Sequence, residues 1–308
     1  MFEIIRYNNS YNSRWDKLVY SGNNGTIFHL RTFISYHPKD RFKDHSLVIK
    51  KKGRLFSVFP AAEININKKK YLISHPGTTV GSFVVPNNLS IADSIQITKI
   101  LISYAKKSGF FGIRITLPPN LYQKRLSNYL DFAYFNQGFT YFKREVTSIL
   151  FLEKTIEQVL NKFRSSHKRG VKKAKKNGVE IRKSNDFNSF YKILEKNLNI
   201  RHGVKPTHSL KELQLLSELF PNKINLFAAY FENKMIAGVV NFQVNENLVL
   251  AFYISHDKQY GDFRALNLLF STIFEWAITS KFKIYDFGIF TVNGEHNYED
   301  HSVAYYMK

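Results

Sequence analysis

The sequence predicts an α/β protein of the α+β kind, built as two tandem domains, each a mixed, mostly antiparallel sheet with flanking helices. Three observations predict it. The C-terminal half reads in the order β-α-α-β-β-β-α-β. The N-terminal half repeats the later β-β-β-α-β part of that order. At 308 residues the chain sits near the size at which one core stops growing, so two domains of about 150 residues are expected. We place the first at residues 1–152 and the second at 153–308.

In the N-terminal half, Ser46 to Lys50 and Arg54 to Ile64 are β-like runs on either side of the turn Lys51-Lys52-Gly53, and Val80 to Val85 is expected to continue that sheet. Ser90 is placed as the cap of a helix with Asp93 in its first turn, where a carboxylate suits the positive helix end. That helix buries Ile95, Leu101, Ile102 and Ala105 and closes at Gly109. Phe110 to Leu117 follows as a strand, stopped by Pro118-Pro119, since proline has no N–H to give a ladder.

The C-terminal half opens with Thr155 and Gln158, a capping box that predicts one helix carrying Leu160 and Phe163 and running to Asn177-Gly178. Val179 to Lys183 reads as a short strand. Ser184-Asn185-Asp186 offers caps for a helix in which Phe187, Phe190, Tyr191, Leu194 and Leu198 recur at helical spacing. After the loop with Pro206, Ser209 and Glu212 repeat the capping box, with Leu213, Leu216 and Phe220 on one side and Pro221 at the end. Ile224 to Phe231, Met235 to Val244 and Leu248 to Ser255 then form a meander. The loop His256 to Asp262 leads to a helix that buries Leu266, Leu269, Phe270, Ile273, Phe274 and Ala277, and Lys283 to Ile289 returns as a strand.

A net charge of +21 predicts attraction to phosphate, whether in nucleotides, tRNA, coenzyme A or an anionic membrane surface. A genome biased toward Lys, Asn, Ile, Phe and Tyr is the alternative source of that excess. With no cysteine, disulfides, thiolate nucleophiles and thiolate zinc sites are excluded. Met1 to Ser10 contains Glu3 and Arg6 and lacks the apolar stretch of a signal peptide, and no later window approaches roughly 20 apolar residues. A cytoplasmic protein without stable membrane insertion is expected. No His-Glu-x-x-His, Gly-x-Ser-x-Gly or Walker pattern occurs, so no metal, serine-hydrolase or NTPase chemistry is expected.

The β-α-α-β-β-β-α-β order is shared with the GNAT acyltransferase superfamily, and particular residues narrow the likeness. Phe163-Arg164-Ser165-Ser166-His167-Lys168-Arg169, with Lys172 to Val179 after it, resembles the opening of the second domain in the FemAB-like group. Arg201-His202-Gly203, Ala237-Gly238, Asp286-Phe287-Gly288 and Asn297 are similar to it as well. In the first half, Ser74-His75-Pro76-Gly77, Gly81-Ser82 and Gly138-Phe139 resemble the first domain of the same group. The resemblance implies two GNAT-like domains, the second being the acetyltransferase-type one. The group includes peptidoglycan bridge aminoacyltransferases fed by aminoacyl-tRNA and acyl-CoA-dependent N-acyltransferases. Gln259-Tyr260-Gly261-Asp262-Phe263-Arg264-Ala265 keeps only part of the superfamily's Gln/Arg-x-x-Gly-x-Gly/Ala coenzyme A loop. The group's Lys-Glu-x-Phe-Gly-type ending is not found before Lys308, so the last strand is expected to be incomplete.

Among candidate site residues, Arg164, Lys168 and Lys172 fall at i, i+4 and i+8 on the first helix, with Arg169 beside them and Lys175 or Lys176 one turn on. Like charges on one face repel, so the stripe suits a polyanionic substrate; a solvated face is the bland alternative. Gln259, Gly261 and Arg264 form the candidate cofactor loop, where backbone N–H groups at a helix start hold phosphate. Acyl transfer to an amine needs a base and a proton donor. In the implied fold Asp286 sits on the strand that splays from Leu248 to Ser255, and Tyr253 lies on the facing strand. Arg201 and His202 come from a loop after a helix, with His202 as a further catalytic candidate, and Asn297 joins the substrate set by resemblance.

Three functions fit these expectations. One is an N-acyltransferase that takes acyl-CoA, such as acetyl-CoA, to the amine of a small molecule or cell-envelope precursor. Another is an aminoacyl-tRNA-dependent transferase of the peptidoglycan-bridge type, and the last a non-enzymatic polyanion binder on a decayed transferase fold.

Overall fold

The turn at Lys51-Lys52-Gly53 forms as its residues dictate. Strands β3 (Leu47–Lys51) and β4 (Arg54–Phe59) pair antiparallel with Lys51 opposite Arg54, and Lys52 and Gly53 both take positive φ, 51° and 76°. The computed structural model describes residues 1–202 and 205–289, without the side chains of 200–202, and the chain divides into two units, Met1–Phe142 and Lys143–Lys308.

In the first unit β1 (Phe2–Arg6) adds to the hairpin in the order β1-β3-β4, with α1 (Asn12–Ser21) and α2 (Arg31–Ser35) between β1 and β2 (Lys43–Asp44) in sequence. The run expected from Arg54 to Ile64 is two strands. Pro60, with no N–H for the ladder, ends β4, and β5 (Ala61–Ile66) belongs to a second sheet ordered β2-β5-β6-β7 with β6 (Lys69–Ser74) and β7 (Gly112–Arg114). Val80 to Val85 does not continue a sheet: it makes a single bridge, Val84 with Val58, since Ser82 turns to φ 80°. Of Phe110 to Leu117 only β7 pairs, parallel to β6. Helix α3 (Ile91–Lys107) starts at Ser90, whose hydroxyl accepts the Asp93 N–H at 3.0 Å, and packs Ile97, Leu101 and Ala105 onto Leu47, Ile49, Phe59 and Leu72. Helix α4 (Tyr129–Asn136) completes the unit.

The second unit holds one six-stranded sheet in the order β8-β13-β12-β11-β10-β9. The three central strands are the expected meander, β10 (Ile224–Phe231), β11 (Lys234–Gln243) and β12 (Leu248–His256). Strand β9 (Glu180–Ser184) edges β10, while β13 (Ile284–Ile289) runs parallel to β12 and pairs on its other side with β8 (Thr147–Phe151). Because β8 belongs to this sheet, the contacts divide the chain before it, earlier than the boundary at 152/153.

The single helix expected from Thr155 to Asn177 is two: α5 (Ile156–Asn161) and α6 (Ser165–Lys176). Apolar spacing runs on across the break, which is carried by Arg164 with an extended ψ of 152°. Helices α7 (Phe187–His202), α8 (Leu210–Leu219) and α9 (Ala265–Thr279) stand where expected. Val159, Val171, Ala174, Leu269 and Phe274 bury α5, α6 and α9 against Val239 and Ala237. Alternation puts Gly238 on the opposite face, where a Cβ would lie 2.5 Å from the Phe190 ring of α7. Parallel pairing of β12 with β13 ends at Leu250 opposite Asp286, and Gly288 bends away at φ 83°. Among the described residues no helix is long and apolar enough to cross a membrane.

His29 is fully buried, with Nδ1 accepting the Thr26 N–H at 3.2 Å and Nε2 2.9 Å from the Gly81 carbonyl, which fixes a neutral ring. Burial pushes its pKa down to about 4, the Gly81 bond opposing this in part. The unfolded ring takes its proton near the ordinary value of about 6.5, so between those values only the unfolded chain is protonated. The His29 contribution, of order 3 kcal/mol, is therefore complete above pH about 6.5 and is lost as pH falls toward 4. Urea denaturation at about pH 7 and about pH 5 should show a smaller acid-induced loss of stability in His29→Gln than in the wild type. An equal loss in both contradicts this assignment.

Candidate functional site

The sequence after β12 builds a helix start with an unusual hinge. Asp257 Oδ1 accepts the Gln259 N–H at 3.1 Å, a tight 3-10 run covers Lys258–Phe263, and Arg264 then adopts the left-handed region at φ 56°, ψ 32° before α9 begins. A non-glycine residue there carries backbone strain of order 1 kcal/mol, a kind of strain that concentrates at functional sites. The Arg264 side chain makes no capping bond to α9, and Arg164 likewise leaves α6 without a side-chain cap. The His167 and Asn267 N–H groups bond the Arg164 and Arg264 carbonyls at 2.9 and 3.0 Å, and the N–H groups of the two residues before each of them carry the positive ends of both starts. A Cβ on Gly261 would meet nothing within 4 Å; the fold itself does not demand glycine there.

These two starts meet. His167 is the third residue of α6 and Asn267 the third of α9, and Asn267 Nδ2 donates to His167 Nδ1 at 2.8 Å. Gly170, one turn along α6, permits the approach: a Cβ on it would lie 2.7 Å from Asn267 Oδ1. Burial first, then the charges of Arg164 and Arg264, hold the His167 pKa below its ordinary value. The ring is thus neutral at neutral pH, and because Nδ1 accepts, Nε2 carries the proton. Two arginines, one imidazole N–H donor and two helix starts share one locale, an arrangement suited to phosphate.

Along α6, Arg169, Lys172, Lys173, Lys175 and Lys176 are exposed and Lys168 is half-buried, while Gly170, Val171 and Ala174 face the core. Arg164 does not share the helical stripe with Lys168 and Lys172 as the spacing predicts, since its extended backbone puts it at the cap. Gln259 is exposed in the loop.

A second polar cluster lies across the sheet. The Tyr253 hydroxyl accepts the His208 N–H at 3.1 Å and sits 2.8 Å from His208 Nδ1. Burial pushes the Tyr253 pKa up to about 12. Tyr191 donates to the His208 carbonyl at 3.1 Å, and Asn197 Nδ2 donates to Ser255 Oγ and the His256 carbonyl, each at 2.7 Å. His208, absent from the sequence-derived set, is the residue that ties its loop to β12.

Asp286 is 1% exposed, accepting from Thr147 Oγ1 and from the Gly288 N–H at 2.7 Å. It braces the point where β12 and β13 part. Tyr253 lies three residues beyond Leu250, about 10 Å along β12, so the two do not form one constellation. The side chains of Arg201 and His202, at the end of α7, lie outside the described residues, as do Asn297 and the chain ending. Among the described residues no group of three or more His, Asp or Glu is placed to hold a metal ion.

Residues 161–300 match the family model of the acetyltransferase (GNAT) domain. The crystal structure of FemX superposes with a TM-score of 0.69 at 14% identity, over 96% of this chain and 91% of that one. L-PGS from Bacillus licheniformis gives 0.55 at 12%, over 95% and 80%. A tandem GNAT protein from the clavulanic acid biosynthesis pathway gives 0.50 at 11%, over 99% and 94%. No curated protein matches the chain by sequence.

Gly170→Val should drive Asn267 from His167 and separate α6 from α9, at a cost of about 1–3 kcal/mol in urea denaturation. Unchanged stability contradicts the close approach of the two helices.

Proposed function

We propose that this chain, which has the FemAB-like tandem GNAT fold and carries a GNAT acetyltransferase domain over residues 161–300, transfers an acyl group from a phosphate-bearing donor to an amine. The observation that carries this reading is the convergence of the α6 and α9 starts at the His167–Asn267 bond, with Arg164 and Arg264 beside it. Donor phosphate is held there by first-turn N–H groups, the two guanidinium groups and the His167 Nε2–H. Acyl-CoA, for which acetyl-CoA is the simplest case, is the donor we favour, with Gln259 and Gly261 lining its loop.

The chemistry then runs on the β12 edge. An amine nitrogen attacks the donor carbonyl carbon, the tetrahedral intermediate collapses to an amide, and the leaving sulfur or oxygen takes up a proton. Beyond Leu250 and Asp286 the parted strands leave β12 without a β13 partner, which opens a slot for the donor. Tyr253 is our proton donor: its raised pKa keeps it protonated until it protonates the leaving group, and the proton that the amine nitrogen gives up as the amide forms returns to the Tyr253 oxygen. Asp286 acts as a positioning residue that holds the slot open.

A second donor, aminoacyl-tRNA, is favoured by one feature. The exposed row Arg169, Lys172, Lys173 and Lys176 continues along α6 well past the reach of a pyrophosphate, as a nucleic-acid backbone would use it.

Calorimetric titration with acetyl-CoA and with deacylated tRNA, at low and moderate salt, separates the two. Saturable acetyl-CoA binding that survives moderate salt supports acyl-CoA; tRNA binding without acetyl-CoA heat supports the aminoacyl donor. Joint reversal of Lys168, Arg169 and Lys172 to Glu should abolish donor binding with the circular dichroism unchanged. Retained binding in that variant overturns the role of α6.

A further inference from the structure

The first unit carries an aromatic surface that the transfer chemistry does not use. Along the β6–β7 edge, Lys69 Nζ lies 3.8 Å from the centre of the Phe111 ring, Phe111 packs edge-on against Tyr71 at 5.4 Å, and Arg114 bridges Tyr71 and Phe142 at 5.2 and 4.6 Å. Next to Phe142, the Tyr141 hydroxyl donates to Asp131 of α4 at 2.6 Å, which joins this line to the helix. The phenylalanines face outward: Phe111 is 60% exposed, Phe142 82%, and on α4 Phe135 70% and Phe132 47%.

Single exposed apolar residues are ordinary, but Phe111 and Phe142 are joined through Tyr71 and Arg114, and the Tyr141 bond to Asp131 brings the chain beside Phe142 to the helix that carries Phe132 and Phe135, so these exposed rings mark an interaction surface. We propose that this patch docks peripherally on an anionic lipid bilayer. The ring edges enter the interfacial zone while Lys69 and Arg114 reach the lipid phosphates, as long cationic side chains do when their stems lie on apolar surface. Charge complementarity sets the occupant, since a chain of net charge +21 is drawn to an anionic leaflet before any ring inserts.

Single-stranded RNA would share that attraction and stack on rings, yet two features disfavour it. The chain's own cations already lie over the Phe111 and Phe142 rings, where a base would stack. Helix α4, which carries Phe132 and Phe135, has no Lys or Arg to follow a phosphate backbone. An apolar centre with cations along one side is the arrangement of a membrane interface rather than of a strand groove.

The test is cosedimentation of the full chain with vesicles of phosphatidylcholine alone and of phosphatidylcholine mixed with phosphatidylglycerol, together with binding to a single-stranded RNA oligonucleotide. Wild-type protein should bind the anionic vesicles and leave the neutral ones. The double variant Phe135→Ser, Phe142→Ser changes only exposed positions and should weaken vesicle binding roughly tenfold while RNA binding stays unchanged. Lys69→Glu should weaken vesicle binding by about fivefold, as expected for one surface cation. Absence of wild-type binding to anionic vesicles, or equal vesicle binding by the double variant, overturns the proposal. A double variant that loses RNA but keeps vesicles also overturns it, and assigns the patch to nucleic acid.

Discussion

The hydrogen bond from Asn267 to His167 ties together the first turns of two helices whose positive ends would otherwise repel. Two devices make it possible. Gly170 lets α6 close on α9, and Arg264 takes a left-handed backbone so that α9 begins directly after it. The result concentrates positive potential without an acidic side chain inside the α6 or α9 first turn to neutralise it. Such an arrangement stabilises a bound anion more than it stabilises the free fold. Strain at Arg264 and the neutral state imposed on His167 are what that trade predicts.

From this point the sheet relays geometry to the chemistry. The strand that feeds the Arg264 hinge is β12, and the same strand carries Tyr253 and parts from β13 after Leu250. Asp286, held by Thr147 and the Gly288 N–H, fixes where that parting occurs. The proposed phosphate site at one end of β12 and Tyr253 midway along it are therefore set at a fixed spacing by a single strand. His208 locks the loop before α8 onto Tyr253, so the phenol and its partner come from elements 45 residues apart in sequence.

Much of the second unit was legible because its elements announce themselves locally. The capping box at Ser209 and Glu212 forms both of its bonds, and the three meander strands fall within a residue or two of their expected ends. The first unit was less legible. Arg54 to Ile64 reads as one run by alternation, and only Pro60 signals that the chain leaves one sheet for another. In the site, Arg264 was visible as a charge next to a helix start, and the α6 cations as a stripe at helical spacing. His208 was not, because a lone histidine between Pro206 and Ser209 has no periodic signal and acquires its role only across the sheet. The break at Arg164 was hidden for the opposite reason, since Val159, Phe163, Val171 and Ala174 keep helical spacing straight through it.

The central claim is that donor phosphate sits where α6 and α9 begin, and Arg264→Gly tests it most directly. Glycine accepts the left-handed backbone without strain, so the variant removes the guanidinium and leaves the hinge intact. Calorimetry with whichever donor the wild type binds should show affinity reduced roughly tenfold or more, as for one charged hydrogen bond lost, with the denaturation midpoint unchanged or raised. Full donor affinity in that variant would contradict the account.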